Sequence, residues 1–164
     1  MKTIHTVVLV SLLLLILSAC GGGGGGSSPN VSPQKKVTLA FSTVSTAHSV
    51  ALEGIQLRLQ FPAGVAVTDS SCSLTWRYNG GLQDKSFDSV NRVVTIAYTD
   101  ITTPIKFGPF ADLACDITSG VTLLESDFAT ATIIKDKQLQ GYSSGSAVDL
   151  SQIVVGSTAV ISNK

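Results

Sequence analysis

Three cysteines, two histidines and eleven carboxylates carry the latent chemistry of this 164-residue chain, and their spacing limits what they can do. Gly141-Tyr142-Ser143-Ser144-Gly145 has the G-x-S-x-G spacing of a nucleophile elbow, which works only between a strand and a helix, with an acid and a histidine to follow. No histidine follows Ser143, and His48 lies in a stretch of Ser, Thr and Ala, so a loop of small residues is expected over 142–147. Ser32-Pro33-Gln34-Lys35 has S-x-x-K spacing, but in a Ser- and Pro-rich stretch where no pocket would lower a lysine pKa. Glycosidase chemistry wants two carboxylates about 5 to 10 Å apart. Asp112 and Asp116, four residues apart on a strand, would stand roughly 13 Å apart. The cysteines and His48 lack the close ligand spacing of a zinc site. Asp69, Asp84 and Asp88 could offer loop oxygens to calcium, yet no EF-hand pattern surrounds them. The expectation is a protein that is not an enzyme and holds no metal or cofactor.

Cys20 is different. Lys2 precedes an apolar run over residues 6–17, the layout of a secretory signal that is too short to span a bilayer. Leu17-Ser18-Ala19-Cys20 then resembles the lipobox of bacterial lipoproteins, with a branched apolar residue, two small residues and a cysteine. The resemblance implies cleavage before Cys20, acylation of Cys20 and attachment to the membrane, because more than one acyl chain gives durable anchoring. Gly21, in place of the Asp that retains such proteins at the inner membrane, points to the outer membrane of the bacterial envelope.

The domains follow from composition. Residues 1–19 form the signal peptide, and 20–34 the lipidated cysteine with a Gly/Ser/Pro tether whose random-coil reach is roughly 20 Å. Residues 35–164 form one domain large enough to bury a core. The net charge is +0 with only 13% charged residues, which excludes a nucleic-acid footprint. With Cys20 assigned to lipid, Cys72 and Cys115 remain as an even pair in an oxidising compartment. They form either a disulfide, closing a loop of about 44 residues worth about 3 to 4 kcal/mol in the chain-entropy model, or two buried thiols.

The elements that must position these residues are strands. Val37, Leu39 and Phe41 alternate with polar neighbours, as do Ile55, Leu57, Leu59 and Phe61 with Gln56, Arg58 and Gln60, which is the period of a half-buried strand. Val65 and Val67 suggest a short strand. Cys72, Leu74, Trp76 and Tyr78 share one parity, and Asn79-Gly80-Gly81 predicts a hairpin to a strand over 82–87. Strands are expected over 93–98 and 107–117, the latter with Ala111, Leu113, Cys115 and Ile117 inward and Asp112, Ala114 and Asp116 outward. A further strand is expected over 128–134, a tight turn at Asp136-Lys137-Gln138, and final strands over 153–161. No sustained helical period appears. Roughly nine strands with frequent turns imply an all-β fold, an antiparallel β-sandwich of the jelly-roll type.

Residues 54–65, Gly-Ile-Gln-Leu-Arg-Leu-Gln-Phe-Pro-Ala-Gly-Val, resemble the early strand and loop of cohesin modules. Residues 104–117 are similar to the later cohesin stretch in which a glycine-containing turn leads into a long strand, and 128–139 to the late hairpin. Gln138 stands where a turn glycine is usual, and a cysteine pair is not a hallmark of the family. The resemblance, to cohesins and related carbohydrate-binding modules, implies a nine-stranded jelly roll that binds a protein partner such as a dockerin, or polysaccharide, without catalysis. The candidate contacts come from this sequence alone. Trp76 and Tyr78 could stack on sugar rings or belong to the core, and Gln56, Arg58 and Gln60 form an outward polar row that could meet a partner or only water. The other reading is a structural or assembly lipoprotein that docks another envelope protein.

Overall fold

The computed structural model describes residues 35–44 and 50–164. The signal segment, Cys20, the tether and His48 lie outside the described residues. Nine strands follow in order: β1 (Lys35–Thr43), β2 (Leu52–Gln60), β3 (Cys72–Trp76), β4 (Leu82–Asp88), β5 (Val93–Thr99), β6 (Gly108–Ile117), β7 (Ile134–Ser143), β8 (Ser146–Asp149) and β9 (Val155–Asn163). They make a four-stranded sheet ordered β3-β6-β1-β9 and a five-stranded sheet ordered β4-β5-β2-β7-β8. Every pairing is antiparallel, and the two sheets form a β-sandwich.

The alternation read from the sequence decides which face each strand buries. Val37, Leu39 and Phe41 of β1 and Ile55, Leu57 and Leu59 of β2 are at most 2% exposed, while Gln56 and Arg58 face solvent. Each such side chain contributes roughly 1.5 to 3 kcal/mol on burial, and this repeated term holds the sheets face to face. In β6 the alternation is interrupted. A bulge opposite Phe41 and Ser42 leaves Phe110 outside the register, so that Phe110 and Ala111 are both buried. The extra ring stacks on Phe41 with centroids 6.2 Å apart.

Cys72 of β3 lies directly opposite Cys115 of β6, with Cα atoms 4.1 Å apart, and the two form a disulfide. Of the two states left open by cysteine counting, the structure has the bonded one. Asp112 and Asp116 project from the other side of β6. Asp116 is nevertheless only 9% exposed, because Lys164 reaches it at 2.8 Å and Lys36 at 3.9 Å.

Several local expectations are corrected by tertiary pairing. Asn79-Gly80-Gly81 does not close a hairpin: β3 and β4 belong to different sheets, and the segment crosses the open side of the sandwich with φ of 116° at Gly80 and 65° at Gly81. A Cβ at Gly81 would meet the Thr99 carbonyl oxygen at 2.7 Å, so this crossing passes too close to β5 for a side chain. Residues 128–133 are not a strand, and β7 begins only at Ile134. They form the end of a 3-10 turn (Glu125–Phe128) and one short helix, α1 (Thr130–Ile133), with Phe128 and Ile133 buried. Asp136-Lys137-Gln138 is not a turn but the middle of β7, where pairing with Arg58, Leu57 and Gln56 of β2 overrides local preference. Residues 142–147 are not a loop: β7 and β8 join through Ser144 and Gly145, both with positive φ, in a two-residue hairpin. Val65 makes only an isolated bridge to Ile117, although Val65 and Val67 are both buried.

The disulfide spans 43 residues, so reducing it is expected to lower stability by about 3 to 4 kcal/mol. Denaturant titrations with and without reductant measure this. An unchanged midpoint after verified reduction would contradict it.

Candidate functional site

The outward faces of the two sheets are built from the same periodicity and differ in charge. Facing residues across the five-stranded sheet run Leu82, Thr99, Gly54, Gln140, Asp149 in one row and Asp84, Ala97, Gln56, Gln138 in the next. Gly54 and Ala97 lack bulk, so the centre sinks into a depression of about 80 Å³ walled by Thr99 and the amides of Gln56, Gln138 and Gln140. Beyond it a third row runs Ser86, Thr95, Arg58, Asp136. Gln60, at the end of β2, donates its amide N–H to the Asn91 carbonyl at 2.8 Å and is tied to the turn there.

Across this face Asp84, Asp88, Asp136 and Asp149 stand with Arg58, and none of the five is in an ion pair within 4.0 Å among the described residues. Asp88 is held below the usual carboxylate range, first by hydrogen bonds from the side chain and backbone of Asn91. Asp149 is lowered by the Ser151 N–H. The four-stranded sheet is the opposite case: Arg77 pairs with Asp112 at 2.7 Å, and Asp116 with Lys164 and Lys36. Its charges are already spent on each other.

Trp76 and Tyr78 belong mainly to the interior. The Trp76 ring lies 5.2 Å from Tyr98 and 6.2 Å from Phe110, and Tyr78 lies 5.9 Å from Tyr98. Tyr78 donates its hydroxyl to the Lys106 carbonyl at 2.7 Å, and burial pushes its pKa up. Neither ring presents an open platform on the outward face of a sheet. Both are half-buried, and one edge of Trp76 reaches a cleft between β3 and β4.

The residues flagged for catalysis are accounted for structurally. Ser143 ends a strand at a hairpin, not at a strand-to-helix elbow, and Asp112 and Asp116 are held by Arg77 and by Lys164. Among the described residues no three His, Cys, Asp or Glu side chains gather as metal ligands, and no helix is long and apolar enough to cross a membrane. Sequence reading found Gln56 and Arg58 by period but missed Gln138 and Gln140, because Asp136-Lys137-Gln138 has the composition of a turn. The one available signal was Leu139, a single apolar residue between Gln138 and Gln140. No family model, curated protein or solved structure matches this chain.

A buried carboxylate stabilises the far end of β5. Asp100 accepts the Thr102 hydroxyl at 2.7 Å and the Thr102 and Thr103 N–H groups at 2.8 and 3.0 Å, which lower its pKa. The Tyr98 hydroxyl donates to it at 3.4 Å, and burial followed by the Asp100 charge raises the tyrosine pKa. A carboxyl with its folded pKa lowered contributes stability that is present above the unfolded pKa and lost as pH falls through the folded one. Denaturation midpoints should therefore fall as pH drops below the ordinary carboxylate range, near 3.9. Asp100→Asn should lower the midpoint at neutral pH and shrink the drop in acid. An identical acid limb in the variant would contradict the role given to Asp100.

Proposed function

We propose that this chain is a lipid-anchored, non-catalytic binding module of the bacterial envelope, of the cohesin-like jelly-roll kind, that engages a protein partner through the outward face of the five-stranded sheet. The observation that carries the reading is the depression over Gly54 and Ala97, ringed by Gln56, Gln138, Gln140 and Thr99. Amides offer donors and acceptors together and suit a polar protein surface or a main chain. Arg58 and the four Asp residues of the same face supply charges in no ion pair among the described residues. The packing of Trp76 and Tyr78 into the aromatic cluster favours a protein over a polysaccharide, whose rings need an open aromatic face.

The anchor rests on the resemblance of residues 17–20 to a lipobox, and the tether gives the domain room to meet a partner beside the membrane. Outer-membrane placement rests on Gly21.

A photo-crosslinking residue at Gln138, compared with one at Thr158 on the opposite sheet, tests the surface in cells, and the mass of the N-terminal tryptic peptide tests the anchor. One dominant protein adduct from Gln138 with none from Thr158, and an acylated Cys20, are expected. Equal labelling from both positions would remove the face, and an unmodified Cys20 would remove the anchor. Retention on insoluble polysaccharide, abolished by Gln138→Arg, would make a glycan the ligand instead.

A further inference from the structure

We infer that the free edge of β4 is a second docking surface, which accepts an extended segment of a partner protein as an added strand with basic residues on its outward side and apolar residues on its inward side. This goes beyond the outward-face reading and does not depend on it.

The direction of the β4 hydrogen-bonding groups follows from its neighbours. The Asp100 N–H bonds to the Glu53 carbonyl and the Phe61 N–H to the Arg92 carbonyl, which sets the bonded pairs of β2 and β5 at alternate positions, including Leu57 with Ile96. Ile96 thus turns its backbone groups towards β2. Lys85, opposite Ile96, turns its own groups away from β5 and out of the sheet, as do Gln83 and Phe87 by alternation. The Lys85 N–H is met only by the neighbouring Asp84 carboxylate, at 2.8 Å, a local contact that an incoming carbonyl can replace.

The two longest edges are treated differently. On β9 the outward N–H of Ser157 is taken by the Thr130 hydroxyl at 2.9 Å, which also donates back to the Ser157 carbonyl at 3.2 Å. The outward N–H of Ile161 reaches the Glu125 carboxylate at 3.3 Å. The 3-10 turn and α1 therefore cap that edge at Ser157 and Ile161. No hydrogen bond from another element covers β4 among the described residues, and six of its seven residues are exposed, with Leu82 80% exposed.

Beside this edge the sandwich is open. The inward side of β4 carries Gln83, Lys85 and Phe87, opposite buried Tyr98, Ile96 and Val94. Two hollows of about 410 Å³ each lie beside β4, one against the edge strand β3 of the other sheet and one against residues 67–69, which lead into it. One is bounded by Leu74, Trp76 and Gln83, the other by Val67 and Phe87, with Lys85 lining both. Lys85 spans the gap to Asp69 at 2.8 Å and lies 5.5 Å from the Phe87 ring. Inward side chains of an added strand would cover these hollows and the half-buried Leu74 and Trp76 beneath them. Its outward side chains would fall opposite Asp84, Ser86 and Asp88, which favours Lys or Arg there.

A second copy of this chain is the wrong occupant. Two-fold pairing of β4 with itself has three registers that match five or more residues, and they place Asp84 against Asp84, Lys85 against Lys85, or Asp84 against Asp88. Each sets like charges opposite each other, which is destabilising. The inward lysine thus guards against self-association and still leaves the edge open to a strand of complementary charge.

The test uses the full chain and three synthetic peptides of about nine residues, the length of a long strand: alternating valine and lysine, alternating valine and glutamate, and the valine-lysine sequence with proline at every third position. Amide exchange is read at Lys85 and Phe87. The valine-lysine peptide should slow exchange there, and the proline-containing one, equal in charge but unable to form the ladder, should not. Asp84→Lys with Asp88→Lys, both at exposed positions, should weaken the valine-lysine peptide about fivefold or more and improve the valine-glutamate one. Gln138→Arg should change neither. Unaltered exchange at Lys85 and Phe87 with every peptide, or equal binding of the proline-containing peptide, would overturn the inference.

Discussion

An open sandwich of two sheets has four edge strands, and each edge leaves a row of backbone N–H and C=O groups that must meet water, a side chain or another strand. Much of this molecule follows from how the four are managed. Edges β3 and β8 are short, with five and four residues, and offer little to pair with. β9, with nine residues, is capped at Ser157 and Ile161 by the Thr130 and Glu125 side chains. Of the residues that read as a strand, Thr130 lies instead in a helical turn beside β9, from which its hydroxyl caps Ser157. β4 is left, with seven residues and an inward lysine in place of a cover.

The disulfide serves the same arrangement. β3 is a five-residue edge strand whose Leu74 and Trp76 are only half-buried, so its own packing holds it weakly. The bond from Cys72 to Cys115 ties it to β6, whose Leu113 and Cys115 are fully buried. With β3 fixed, Trp76 stays against Tyr98 and Phe110, and the wall of the β3–β4 opening keeps its shape. The polar residues that could suggest chemistry are used likewise: Arg77 with Asp112, Lys164 with Asp116 and Asp100 with Thr102 satisfy each other within the domain. Arg58, Asp84, Asp88, Asp136 and Asp149 on the outward face of the five-stranded sheet have no ion pair among the described residues.

The sandwich was legible wherever one face of a strand is buried and the other wet. Ile55, Leu57 and Leu59 against Gln56 and Arg58 gave both the strand and its outward row, and the shared parity of Cys72 and Cys115 with core residues placed both on the core face. Period alone does not say which strands pair. Asn79-Gly80-Gly81 supplies the positive φ that a hairpin needs, and the same freedom serves a crossing between sheets. Asp136 to Gln138 has turn composition but sits beside β2, where ladder pairing outweighs propensity. Gln138 and Gln140 consequently stayed hidden, and with them half the wall of the depression. The β4 edge was invisible for a related reason: its openness depends on which neighbour it lacks, and that is a property of sheet order.

The unequal treatment of the two longest edges is the claim on which the rest depends, and residue-resolved hydrogen exchange of the unliganded full chain measures it directly. The outward amides of Ser157 and Ile161 on β9 should be protected well above those of Lys85 and Phe87 on β4, although all four point away from their sheets. Thr130→Val should release Ser157 to the faster class. Equal exchange at the two edges would show that β9 is not capped and that β4 is no more open than any other strand.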